Sequence, residues 1–260
     1  MAVRLLRGGA LLTVTLLTWP LGPAVAQGDP NTLWTIVHDQ CVAGEQRHHD
    51  PAPCAKVDLD HGYVVFKDAV GAHQYLLMPT ERIAGIESPE LLEPGARNYF
   101  ADAWAARSFV EQRAGGTIGR DWMSLAINAA VARSQNQLHI HLDCLRADIH
   151  DALASATIGP AWAPLPIPLA GASYWTVAVP GTDLSANPVT MVADGLPGAR
   201  SDMGLYNVVV VGAGDVAGQP GFVILANRAD GSNGPVAGGE LLQDHDSCPP
   251  PLPPTSTTAK

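Results

Sequence analysis

The stretch Gln137-Leu138-His139-Ile140-His141-Leu142-Asp143 alternates polar and apolar residues without a break. Side chains of a strand return to the same face every second residue, so this pattern predicts a strand with two distinct faces. Gln137, His139, His141 and Asp143 share one face, and Leu138, Ile140 and Leu142 point into a core. A histidine-bearing row backed by aliphatic side chains is the wall of a site.

The surrounding sequence supplies partners for that strand. Residues 122–128 have strand character, and 129–136 form a loop, polar at its end, that leads into the histidine strand. Residues 63–67 and 74–78 read as a hairpin turned at Gly71, and 174–179, 206–211 and 222–226 as further strands. Gly212, Gly214, Gly218 and Gly221 mark the turn between the last two. Asp29-Pro30-Asn31 caps a helix that carries Leu33, Trp34 and Val37 and ends near Cys41, with 44–53 a polar loop. Ser88-Pro89-Glu90 opens another helical region, with Tyr99, Phe100, Ala103, Trp104 and Val110 on one stripe, stopped by Gly115-Gly116. Residues 148–156 read as a surface helix.

Composition narrows the classes of function. Arg4 and Arg7 precede an apolar run that closes on Ala24-Val25-Ala26, so 1–26 reads as an export signal or, if uncleaved, an N-terminal membrane anchor. The formal charge is −10, from 25 acidic and 15 basic residues, and removal of Arg4 and Arg7 makes it −12. A chain so acidic, with no basic stripe, is not expected to bind nucleic acid. The four cysteines, Cys41, Cys54, Cys144 and Cys248, favour disulfides in an oxidising compartment. Three pairings are open; spacing favours Cys41 with Cys54, leaving Cys144 with Cys248, and zinc is the rival reading without a Cys-x-x-Cys to support it. Residues 249–260, rich in proline and threonine, are expected to be a disordered tail.

A neutral imidazole is nucleophilic near pH 7, which makes His139 the central candidate. His141, with Asn128, Ser134, Gln135 and Gln137, offers donors for phosphoryl oxygens. Two plainer readings compete: a half-exposed sheet face, and a metal site completed by Asp143, His61 or His150. His245, between Asp244 and Asp246, reads as a local ion pair, and the absence of a Gly-x-Ser-x-Gly elbow argues against a serine hydrolase.

Asn128 followed by Ser134-Gln135-Asn136-Gln137-Leu138-His139-Ile140-His141-Leu142 resembles the active-site segment of the histidine-triad superfamily. More narrowly, the chain resembles the CDP-diacylglycerol pyrophosphatases. The likeness extends to Pro53-Cys54, Gly62-Tyr63-Val64-Val65, the run from Tyr75 through Pro79-Thr80 to Ser88-Pro89, and Gln243-Asp244-His245 before Cys248. It implies an α+β, histidine-triad-like domain over 27–248, with a mainly antiparallel sheet and flanking helices. It also implies hydrolysis of CDP-diacylglycerol to CMP and phosphatidate without metal or other cofactor: His139 attacks the CMP phosphorus, and His141, Asn128 and Gln135 hold the phosphate. Action at a membrane surface after export to the periplasm, with no protein partner, follows from the same resemblance. The first triad position is Gln137, whose amide donates a hydrogen bond but does not titrate. Two alternatives differ in class: a hydrolase or transferase of soluble nucleotide diphosphate compounds, and a non-catalytic CDP-lipid-binding protein.

Overall fold

The computed structural model describes residues 28–253. The expected leader, 1–26, and the last residues of the expected tail, 254–260, lie outside the described residues. The architecture is α+β, built on one nine-stranded antiparallel sheet. Its strands are β1 (Lys56–Asp58), β2 (Tyr63–Lys67), β3 (Tyr75–Pro79), β4 (Met123–Ile127), β5 (Ile140–Cys144), β6 (Ala163–Pro164), β7 (Trp175–Pro180), β8 (Tyr206–Val216) and β9 (Gln219–Arg228). They lie in the order β1-β2-β3-β5-β4-β8-β9-β7-β6, which puts the histidine strand β5 in the interior between β3 and β4.

Register fixes the two faces. Leu77 pairs with Ile140, and Leu125 with both Leu142 and Val210, so these residues share one face with Val65, Ile127, Phe222 and Ile224. Helices α3 (Tyr99–Ala105) and α4 (Ser108–Arg113) and the helix Pro188–Gly195 cover that face with Phe100, Trp104, Val110, Val189 and Val192. The opposite face has two separate apolar patches. Val64, Leu76 and Met78 lie under Val37 and Cys41 of the N-terminal helical segment, and Val209, Val211 and Leu225 lie under Leu145, Ile149, Leu165 and Leu169. Between the patches, β5 turns His141 and Asp143 to this same face.

The elements differ from the sequence expectation where polarity or glycine misleads. The N-terminal helix continues past Cys41: α1 (Thr32–Thr35) leads through a π-helical stretch (Ile36–Val42) into α2 (Ala43–His48). Residues 44–48 are therefore helical, because Glu45, Gln46 and Arg47 are good helix formers that need no buried stripe. The long helix expected after Ser88 is instead a 3-10 turn (Pro89–Leu92) followed by α3 and α4, and Asn98 caps α3 by accepting from the Ala101 N–H. The β8–β9 turn falls at Ala217-Gly218, where both φ angles are positive, and Gly212, Gly214 and Gly221 lie inside the strands. Gly212 serves close packing: a Cβ there would come within 2.3 Å of the Arg120 carbonyl oxygen. The cysteines pair as Cys41–Cys54 and Cys144–Cys248. After Cys248 the chain returns to Thr117, whose carbonyl accepts the Leu252 N–H.

Candidate active site

Gln137, His139, His141 and Asp143 are all buried, which removes the reading of a half-exposed sheet face. The regular strand begins only at Ile140, so Gln137 and His139 lie on the entry into β5. The Gln137 amide donates to the carbonyls of Pro79 and Glu81, fixing that entry against the end of β3.

The two imidazoles have different partners at Nδ1. Nδ1 of His139 lies 2.6 Å from the Gln137 carbonyl, which can only accept, so Nδ1 carries the proton. The neutral ring then presents its lone pair on Nε2. His141 is packed edge-on against it, ring centroids 4.9 Å apart. Nδ1 of His141 lies 2.7 Å from the Gln74 amide nitrogen and 3.1 Å from a Glu240 carboxylate oxygen. One ring nitrogen cannot accept from an amide and donate to a carboxylate at once, so the Gln74 contact requires the proton on Nε2 and the Glu240 contact requires it on Nδ1. That Nε2 is enclosed and has no hydrogen-bond partner among the described residues. In the tautomer that accepts from Gln74, His141 offers a donor on Nε2 two residues beyond the His139 lone pair.

Burial holds both rings in the uncharged form. It pushes the His139 imidazole down, partly offset by the Gln137 carbonyl. It pushes His141 well below the ordinary histidine value, reinforced by His139 and His245 nearby.

The loop residues divide. Asn128 is buried beside the site, and its amide donates to Glu240 at 2.8 Å while its oxygen accepts the Glu240 N–H at 3.3 Å. Gly238 makes this approach possible, since a Cβ there would lie 2.5 Å from the Asn128 oxygen. Gln135 turns away: it accepts the Leu33 N–H and donates to the Asp29 carbonyl, anchoring the start of the N-terminal helix. Ser134 is exposed.

Four residues outside the expected set complete the arrangement. Gln74 and Glu240 flank His141, and the Gln243 amide donates to the His141 carbonyl and to Ser124. His245 is not paired with Asp244 or Asp246, as its neighbours in sequence suggested. Its Nδ1 lies 3.0 Å from the buried Asp143, while Asp244 accepts from the backbone N–H groups of Asp246 and Ser247. The alternation that puts Gln74 on a face with Leu76 and Met78 was a usable sign; Glu240 follows a glycine-rich segment that carries none. For a metal, Asp143, Cys144 and Cys248 bring ligand-type atoms within 4.8 Å, but both sulfurs belong to one disulfide and are not thiolates, leaving a single carboxylate.

The family model for CDP-diacylglycerol pyrophosphatase matches residues 28–249. A protein of Yersinia pestis with that name is 42% identical over 220 residues, covering 83% of each chain. A family match over nearly all the described residues, with a relative 42% identical, settles the kinship: the chain belongs to the CDP-diacylglycerol pyrophosphatase family.

Proposed function

We propose that the protein hydrolyses CDP-diacylglycerol to CMP and phosphatidate in two displacements at His139. In the first, Nε2 forms a bond to the CMP phosphorus, and the bond from that phosphorus to the bridging oxygen breaks, releasing phosphatidate. In the second, a water oxygen attacks the same phosphorus, the N–P bond breaks, and CMP leaves as Nε2 recovers its lone pair. His141 donates from Nε2 to a phosphoryl oxygen as charge builds there, and Asn128 contributes its amide at the same edge. Gln137 acts by positioning, through its carbonyl on His139. The observation that carries this reading is the Nδ1 contact of His139 with the Gln137 carbonyl, which reserves Nε2 for phosphorus. The test is CMP release from CDP-diacylglycerol by wild type and His139→Ala, with acid trapping of a nucleotidyl-protein adduct. Equal rates, or no adduct in a rapid quench, would refute it.

We also propose that 1–26 is an export signal, that the enzyme works in the periplasm, and that it meets its substrate at a membrane surface. No helix among the described residues is long and apolar enough to cross a membrane, so contact falls to side chains. Val131, Val236 and Leu241 are exposed, and each lies within three residues of Asn128, Gly238 or Glu240. Flotation with anionic vesicles, wild type against a Val131→Ser, Leu241→Ser double variant, tests this contact.

A further inference from the structure

We infer that His245 is a third imidazole of the site and the cationic contact for the leaving phosphate. This rests on the diphosphate-hydrolase reading above. On the site face of β5 the row runs His139, His141, Asp143, and His245 stands on the last of these, its Nδ1 3.0 Å from a carboxylate that is itself fully buried. Successive positions on one strand face are about 6.7 Å apart. The His139 and His141 rings lie 4.9 Å apart, and His245 bears on His141 from the Asp143 side, so a diphosphate with its first phosphorus at His139 has its second near His141, facing His245. Displacement at phosphorus requires attacking and leaving groups roughly in line. With His139 attacking from one end, the departing phosphate is directed along the row toward His245.

The surroundings suit a charged group there. The His245 side chain is 28% exposed, and among the described residues only its Nδ1 is engaged, so Nε2 is left to donate. The Asp143 hydrogen bond raises its pKa against the opposing effect of burial. Asp143 is pushed up by burial while His245 pulls it down, with His73 on the same side. Glu240 and Asp68 add negative charge facing His245, and His141 is held uncharged. Gln137 cannot supply a cation, and His245 provides one at the other end of the row.

The placement of His245 is built rather than incidental. The Cys144–Cys248 bridge joins the residue after Asp143 to a residue three beyond His245. The Asp244 N–H donates to the Cys144 carbonyl, and the His245 carbonyl accepts the Ala72 N–H at 2.7 Å. The imidazole is thus tethered from both sides of its own peptide to β5 and to the turn before β3.

The test compares two substrates of the intact protein: CDP-diacylglycerol, whose leaving group is a phosphate, and the p-nitrophenyl ester of CMP, whose leaving group is not. His245→Gln is expected to lower kcat/KM about a hundredfold on the diphosphate and less than about tenfold on the ester. His245→Lys, which restores a cation, is expected to recover most of the loss on the diphosphate. Equal losses on both substrates, or a lysine variant no better than glutamine, would overturn the assignment and leave His245 a structural group. A wild-type protein that turns over neither substrate would overturn the hydrolase reading itself, an outcome distinct from equal losses in an active protein.

Discussion

The two faces of the sheet are made from the same strands and obey different rules. On the helix-covered face, Leu125, Ile140, Leu142, Val210 and Phe222 meet Phe100, Trp104 and Val192 in one continuous apolar cluster. On the other face the apolar packing is split, and the gap holds His139, His141, Asp143, Gln74 and Gln243, each buried and polar. One face supplies cohesion through burial. The other gives up cohesion along one strand to keep reactive nitrogens away from bulk water.

The contrast is broken most severely by His139→Ala. Loss of the proposed nucleophile is expected to reduce CMP release by about 10⁴-fold or more, with near-UV circular dichroism unchanged. Phe100→Ala should do the reverse. It removes a fully buried ring and is expected to cost about 3–5 kcal/mol in urea unfolding, while kcat per folded molecule stays within about twofold of wild type. A large loss of kcat there would show that the helix-covered face reaches into the chemistry.

His141→Ala comes next, with an expected loss of about a hundredfold to a thousandfold in kcat from one missing donor. Gln243→Ala removes one buried donor from the carbonyls of Ser124 and His141, so about 1–3 kcal/mol of stability should be lost in chemical denaturation. The smallest effect is on the pH dependence of stability. The folded-state values of His139 and His141 are depressed, so as pH falls below about 6.5 the unfolded chain takes up protons that these rings in the folded state refuse. Their burial therefore costs stability progressively on acidification. His245, with a raised value, acts in the opposite sense, its stabilisation being full at low pH and lost as pH rises through that value. Urea midpoints at pH 7 and pH 5 should differ less in His141→Gln than in wild type; an unchanged difference would remove His141 from this account.

The sheet was legible because its signal is period two, and register turned the alternation at 137–143 directly into a buried polar row. Elements whose identity depends on distant packing were not. The helix at Pro188–Gly195 buries Val189 and Val192 but sits in a stretch whose prolines and short apolar runs show no period. Gly212 resembles a turn residue in sequence, and only the approach of Arg120 and Trp104 shows why it belongs within β8. In the candidate site, the shared placement of His139 and His141 could be read from their own alternation. Glu240, Gln243 and His245 could not be placed, because the groups they engage, Asn128, His141 and Asp143, lie about a hundred residues away. Gln135 was misleading in the other direction, its amide being directed to Leu33 and Asp29.

The pairing of Leu145 with Gln243 brings the last folded segment beside a strand completed a hundred residues earlier. In a chain made from its N-terminus, the residues of β3, β4 and β5 all precede that segment. Until it arrives, His141 lacks Glu240, its carbonyl lacks the Gln243 amide, and Asp143 lacks His245. A chain interrupted or clipped before that segment therefore carries the residues of the sheet without the complete set of side chains around His141 and Asp143.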